Sequence, residues 1–490
     1  MSCRSRGWRR GVCLLWVAMA AAAWSAFGAT AYAGTKQPAP EVRLALEDLG
    51  FPGISPTFLA AGSSMLTVHF VDSEHLLVTF GMRGLIPRVA GDPVDDDDRM
   101  VAGELVELAT GKVLARTEWH LHDHGRYLWN LGDGRFLLRA GQGLSTFAPM
   151  ANLAAGRAFV RTVLGHRAGS IEAVMVSADD KLLTIETKAE QPAAGETGDA
   201  PSRAPIALDF YRLSGAGTSE SPLLADHAGA IGATSAIGLP VDGDGYLQAT
   251  ERQGQRGRWA VAFESFGGEE IPLAAVESSC PPTLMRVGSG QLVAITCRGI
   301  TGRVALLALD FEKHEMWEEP LAASPLTPAF ALAPAAGRFA VSRINSIESE
   351  ATFATAPDNT ATQEVRVYQT QTGDLLLKVS CSPVYRTAEN FDLSNDGRRV
   401  AVVRGDAIEV YGLPQLSKGD RDDLAELEKV APPAGAGRID LRGLAESTSK
   451  GEGTASASAT ASGDPQTARK RPSLLNPGEK PEFQDKSAPN

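Results

Sequence analysis

Three of the chain's eight histidines alternate within five residues, in Trp119-His120-Leu121-His122-Asp123-His124. On an extended strand, side chains two apart project to the same side. His120, His122 and His124 can therefore converge, and imidazole is a common ligand for Zn, Cu, Fe and Ni. An acidic stretch lies upstream, with Asp92 and the run Asp95-Asp96-Asp97-Asp98. One reading is a divalent-metal site built from the three imidazoles and Asp95. The other makes them ordinary strand-edge histidines that hydrogen-bond a neighbouring element. The aspartate run lacks the D-x-D-x-D-G spacing that wraps calcium. Consecutive acids repel one another and favour a solvated loop.

The cysteines offer a second constellation. Cys280 and Cys297 flank the turn Val287-Gly288-Ser289-Gly290. With Gly288 and Ser289 at its centre, residues whose numbers sum to 577 face each other, and the two cysteines do so. Cross-strand neighbours at that spacing are within disulfide reach. The alternatives are two buried thiols, or a register shifted by one residue. Cys381 is left over and reads as a small apolar core residue. No G-x-S-x-G elbow, H-E-x-x-H, P-loop or dinucleotide fingerprint occurs, so no catalytic residues are assigned and no cofactor beyond the possible divalent metal is expected. Aromatic residues make up 6% of the chain, which argues against a carbohydrate-stacking cleft.

The elements that must position these residues are set by a phrase that returns seven times. It runs from a strand into a tight polar turn and out into an apolar strand. The copies are FVDSEHLLVTF (70–80), NLGDGRFLLRA (130–140), VSADDKLLTIE (176–186), VDGDGYLQAT (241–250), RVGSGQLVAIT (286–296), APAAGRFAVSR (333–343) and LSNDGRRVAVV (393–403). Their last turn residues are His75, Gly134, Asp180, Gly245, Gly290, Gly337 and Gly397, at steps of 59, 46, 65, 45, 47 and 60 residues. Periods in the forties with one supersecondary unit each mark a β-propeller or related array. A second hairpin follows each phrase, clearest in 103–117, 302–322 and 364–380, where Val365, Val367, Leu375 and Leu377 alternate as half-buried strands require. Two hairpins per period give an all-β, seven-bladed propeller of four-stranded antiparallel blades, spanning 34–415. The strands of a blade are A to D, with the polar turn between A and B.

The long steps hold insertions at 83–101, 188–204 and 346–363, all between strands B and C. B–C and D–A connections emerge on one face of a propeller, so the insertions crowd that face, and one-sided insertions often mark a binding face. The seventh blade has no evident D strand. Val42-Arg43-Leu44-Ala45-Leu46 is the expected closing strand, which would remove two exposed sheet edges. Ile439-Asp440-Leu441 is the competitor.

The ends of the chain read differently. Arg4, Arg6, Arg9 and Arg10 precede an apolar run from Val12 to Phe27, and Ala31-Tyr32-Ala33 offers small residues for cleavage before Gly34. Residues 1–33 therefore read as a signal peptide, the alternative being an uncleaved anchor helix. Residues 416–446 read as a linker with a short helix, and 447–490 as a disordered tail. Without the leader the chain carries 43 Lys and Arg against 59 Asp and Glu, a formal charge of −16. That balance argues against nucleic-acid binding, which needs basic surface. No second apolar run reaches membrane length.

The phrase Leu393-Ser394-Asn395-Asp396-Gly397-Arg398-Arg399-Val400-Ala401-Val402 resembles the S-P-D-G-x-x-[LIV] turn of WD40-like, TolB-like and YVTN-type bacterial propellers. Val367-Tyr368-Gln369-Thr370 with Thr372-Gly373 is similar to their V-Y-D-x-x-T-G hairpin. The resemblance covers about residues 60–415, with Asn395 in place of the usual Pro and no Trp-Asp pair ending the repeats. It implies a rigid platform for partners and no particular chemistry. The expectation is an exported protein, periplasmic or extracellular, that binds a protein or peptide ligand on the insertion-bearing face without catalysis. A metal-dependent enzyme using His120, His122 and His124 is the second expectation, and a structural envelope component the third.

Overall fold

The computed structural model describes residues 38–51, 66–81, 99–121, 126–140, 143–164, 170–177, 180–188, 206–216, 221–233, 241–242, 245–265, 269–288, 290–299, 303–311, 315–321, 328–345, 362–381 and 389–429. The leader pattern, most of the three insertions, Ile439-Asp440-Leu441 and the C-terminal tail lie outside them.

Strand β1 (Val42–Ala45) comes first in the chain and joins the last sheet. Blade 1 is β2 (Leu66–Phe70), β3 (His75–Gly81), β4 (Arg99–Glu107) and β5 (Val113–Leu121). Blade 2 is β6 (Leu128–Asn130), β7 (Phe136–Ala140), β8 (Gly143–Phe147) and β9 (Thr162–Leu164), with the short helix α1 (Pro149–Leu153) between its last two strands. Blade 3 is β10 (Ser170–Val176), β11 (Leu182–Lys188), β12 (Ile206–Ser214) and β13 (Leu224–Ala233). Blade 4 is β14 (Val241–Asp242), β15 (Gly245–Glu251), β16 (Arg258–Ser265) and β17 (Glu270–Glu277). Blade 5 is β18 (Thr283–Gly288), β19 (Gln291–Arg298), β20 (Arg303–Asp310) and β21 (Glu315–Pro320). Blade 6 is β22 (Ala329–Ala333), β23 (Arg338–Asn345), β24 (Thr362–Gln369) and β25 (Leu375–Cys381). Blade 7 is β26 (Phe391–Leu393), β27 (Arg399–Arg404) and β28 (Ala407–Gly412), completed by β1. Helix α2 (Lys418–Lys429) follows.

Seven four-stranded antiparallel sheets result, as a seven-bladed propeller requires. The seven turn phrases are the seven A–B hairpins. Their last residue takes a left-handed conformation at Gly134, Gly337 and Gly397, with φ of 68°, 60° and 64°. Asp180 does the same at 57°, and aspartate is one of the few side chains that tolerate that region. A β-bulge recurs in the C–D pair, at Leu105/Val106, Phe210/Tyr211, Val261/Ala262, Ala308/Leu309 and Val367/Tyr368. Each bulge adds local right-handed twist near the rim of its blade.

The core is a set of apolar layers between adjacent blades. Val68, Phe70, Val78 and Val106 of blade 1 pack on Ala401, Val403, Ile408 and Val410 of blade 7. Leu77, Leu105 and Trp119 pack on Phe136, Leu138 and Phe147 of blade 2. Each fully buried aliphatic side chain contributes about 1.5–3 kcal/mol. The ring closes through β1, in register Val42↔Val410 to Ala45↔Ala407, so the N-terminal strand is the closing one.

The disulfide between Cys280 and Cys297 is present, with Cα atoms 5.5 Å apart. Its register differs from expectation. Facing residues in β18 and β19 sum to 578, as in Thr283↔Ile295, because the ladder shifts between Arg286 and Gly288 at the turn. Cys280 precedes β18, and the Ser279 N–H donates to the Cys297 carbonyl at 2.9 Å, which brings the sulfurs together outside the ladder. Cys381 is buried and free, and burial pushes its thiol up to about 12.

Candidate functional site at the inner strands of blades 7, 1 and 2

Inner strand β2 pairs with β3 along one edge only. The groups on its other edge need partners. Blades 7 and 2 supply them. The Val68 N–H donates to the Glu389 carbonyl at 2.9 Å. The Phe70 N–H donates to Asp392 Oδ2 at 2.7 Å, across 322 residues of chain. Asn130 Nδ2 donates to the Phe70 carbonyl at 3.2 Å.

These bridges gather charge. Arg126, at the end of the connection from β5 to β6, forms an ion pair with Glu389, at the end of the connection from β25 to β26. Both are D–A connections, so the pair sits on the insertion-bearing face. The Arg126 guanidinium also lies 5.4 Å from the Trp129 ring centroid, and its Nε donates to the Leu128 carbonyl at 3.1 Å. Its side chain is 53% exposed while that of Glu389 is 12% exposed, so the pair presents its positive member to solvent.

Deeper along the same strands lie Asp392 and His69. Burial pushes the Asp392 carboxyl up to about 7, and the nearby Glu389 adds to the rise. The Phe70 and Leu393 N–H groups and Arg126 oppose it. His69 is 5% exposed, with its ring 6.1 Å from that of Phe136. Burial first, then Arg126, hold its pKa down at about 3, so the imidazole is neutral at ordinary pH. Its Nε2 has no hydrogen-bond partner among the described residues. Burial also raises the Glu389 carboxyl, against the pull of Arg126. The arrangement can hold a partner's anionic or hydrogen-bonding group at Arg126.

The sequence-predicted metal residues are placed only in part. His120 is on β5, the outermost strand of blade 1, opposite Met100 of β4. Trp119 and Leu121 turn inward while Glu118 and His120 are exposed. His122, His124 and Asp95 lie outside the described residues. Among the described residues no group of three or more His, Cys, Asp or Glu is arranged to hold a metal ion. Sequence reasoning missed Arg126, Glu389, Asp392 and His69. The one available signal was position: Arg126 directly follows the histidine cluster, and Glu389 to Asp392 lead into the sharpest turn phrase.

The opposite face is partly covered. Helix α2 sets Leu424 and Leu427, three residues apart and both half-buried, over the A–B turns of blades 6 and 5. A Cβ on Gly337 would lie 3.2 Å from Leu424 Cδ1, and one on Gly290 would lie 2.1 Å from the Leu427 carbonyl oxygen. Beneath the helix, buried Arg338 donates to the Gly397 and Pro414 carbonyls. Burial lowers the Arg338 pKa, and the Asp420 and Asp396 carboxylates counter it.

The fold and site together define a seven-bladed β-propeller with a charged bridge across three inner strands. No family model and no curated protein matches the chain. Solved structures similar to it include TolB from Acinetobacter baumannii, at 13% identity over 69% of this chain and 80% of that one, with a TM-score of 0.32. The Cps50 (Swd1) β-propeller domain of Myceliophteria thermophila is similar at 12% identity over 71% and 96%, TM-score 0.35. The Pyrococcus horikoshii acylaminoacyl peptidase is similar at 8% identity over 75% and 55%, TM-score 0.41. At these scores the propeller assignment rests on this chain's own strand order.

Proposed function

We propose that this chain is an exported, non-catalytic propeller that holds a protein or peptide ligand on its insertion-bearing face. One observation carries the reading. The three long B–C connections, β3 to β4, β11 to β12 and β23 to β24, all leave the end of the sheets where Arg126 and Glu389 lie. The other end is partly covered by the chain's own helix α2. Rigid sheets presenting loops of variable length at one end are a common way to build a recognition surface. The disulfide and the leader pattern support export to an oxidising compartment. Among the described residues no helix is long and apolar enough to cross a membrane.

The test is affinity capture with the full chain and with variants trimmed in 188–204 or 346–363. A partner held by the full chain and released by either trim, while thermal unfolding stays unchanged, is the expected result. A partner that survives loss of both insertions and is released by substitutions on the A–B turns overturns the reading.

A further inference from the structure

On the same insertion-bearing face, blades 4 and 5 enclose an open polar groove of about 320 Å³. Three guanidiniums line it, two from one turn of blade 4 and one from blade 5. Arg256 stands in the B–C turn of blade 4, Arg258 begins β16, and Arg298 ends β19. Glu277 is the only carboxylate in the lining. Two of the guanidiniums are oriented by ion pairs, Arg258 with Glu277 at 3.1 Å and Arg298 with Glu318 at 2.8 Å. Arg256 is exposed and has no hydrogen-bond or ion-pair partner among the described residues.

The wall of the groove is built to hold its shape. Ser278 Oγ donates to the Cys280 carbonyl at 2.7 Å and accepts the Cys297 N–H at 2.9 Å. The Cys280–Cys297 disulfide ties the same segment to β19. Gly257 takes φ of 78° and donates its N–H to Glu251 Oε1 at 2.9 Å, which fixes the turn carrying Arg256 and Arg258. A guanidinium presents a planar fork that matches a carboxylate. Arg258 and Arg298 are offset by Glu277 and Glu318, and Glu251 holds the turn that carries Arg256. In a chain of formal charge −12, Arg256 is thus the exposed cation of a preformed groove with no carboxylate of its own among the described residues, and a cation so placed selects an oppositely charged group.

We propose that this groove takes the carboxylate side chains of an acidic peptide segment of the partner, with Arg256 as the principal contact. The proposal rests on the binding-platform reading for its face, and it names the chemistry of the ligand.

The test is a fluorescence-anisotropy titration of the full chain with labelled octaglutamate at low ionic strength, with octaglutamine as the neutral comparison. Saturable binding of octaglutamate alone is expected, weakening as salt is raised. Arg256→Glu should weaken it about tenfold, since reversal replaces an exposed attraction with a repulsion. Arg398→Glu, at the exposed A–B turn of blade 7, should leave it unchanged. Absence of saturable binding, equal binding of octaglutamine, or equal losses in the two variants overturns the proposal. So does displacement by inorganic phosphate at the same molar concentration as the peptide, which would mark a general anion site. Any of these can occur while trimming the insertions still releases a captured partner, so the two readings fail separately.

Discussion

The two titratable groups on the inner strands should pull the stability of the ring in opposite directions, and substitutions can separate them. Asp392 has a folded pKa of about 7 against an ordinary 3.8. An acid raised on folding contributes stability that is complete below the unfolded value and is lost as pH rises through the folded one. His69 has a folded pKa of about 3 against an ordinary 6.5. A base depressed on folding is undisturbed above pH 6.5 and costs stability as pH falls below it. At ~1.4 kcal/mol per pH unit, going from pH 5 to pH 8 removes about 2–3 kcal/mol through Asp392 and restores about 2 kcal/mol through His69. The native chain should therefore be nearly flat over this window as far as these two groups are concerned. Asp392→Asn leaves His69 alone, so its stability should rise by about 2–3 kcal/mol relative to the native chain between pH 5 and pH 8. His69→Leu leaves Asp392 alone and should fall by about 2 kcal/mol relative to the native chain. Urea unfolding at the two pH values, read as differences between chains, cancels the background from every other group. Curves for Asp392→Asn and the native chain that stay parallel within ~0.5 kcal/mol would refute the reasoning, because a carboxyl ionised throughout the window has no such effect.

Four further outcomes are expected. Cys280→Ser should lower stability by about 3 kcal/mol in urea unfolding without reductant, because the bridge closes a short loop of separation 17; an unchanged midpoint would show that the bridge adds nothing. Gly397→Ala forces a side chain into φ of 64° and brings its Cβ to 2.5 Å from Ala336 Cβ, so it should cost about 3 kcal/mol. Gly254→Ala, at φ of 74° with nothing within 4 Å, should cost about 1 kcal/mol in the same unfolding assay. Metal analysis of the purified chain and of His122→Ala should give the same sub-stoichiometric content; stoichiometric metal lost on substitution would instead favour the metal-dependent enzyme.

The ring was legible because its signal is local. Each A–B turn, from Val71–Glu74 to Ser394–Arg398, fits inside one short phrase, and the closing strand declared itself by apolar alternation at Val42, Leu44 and Leu46. The disulfide partners could be read from their distance to a shared turn, yet the register was off by one. Slippage at Gly288 is a property of backbone geometry that residue types do not encode. The charged bridge was illegible for a different reason. Arg126 and Glu389 meet only because blades 2 and 7 both reach over blade 1, and no spacing along the chain marks that meeting. Of the histidine triplet only His120 lies among the described residues, on the outermost strand of blade 1.

The charged bridge and the closure of the ring belong to the same junction. Strand β1 contributes four ladder pairs to blade 7, a short seam for a ring of this size. Its Arg43 adds ion pairs to Glu409 at 2.7 Å and Asp406 at 2.6 Å. On the inner side, Asp392 and Glu389 take the free N–H groups of β2, and Arg399 donates to the Ser73 carbonyl at 2.6 Å. Blade 7 is thus held to blade 1 at its inner strand as well as through the apolar layer between them. Asp392 is consequently part of what keeps the ring shut, and removing its carboxyl should register first as lost stability. Arg126 differs, because it spans the junction from blade 2 with half of its side chain in solvent. A ligand that draws on Arg126 competes with Glu389 for the same guanidinium. Arg126→Ala should therefore raise the cost of the buried Glu389 carboxyl and weaken any partner bound at this face, whereas Arg126→Lys should restore the charge without the planar fork. Recovery of stability without recovery of partner binding in Arg126→Lys would assign the guanidinium to recognition; equal recovery of both would assign it to closure alone.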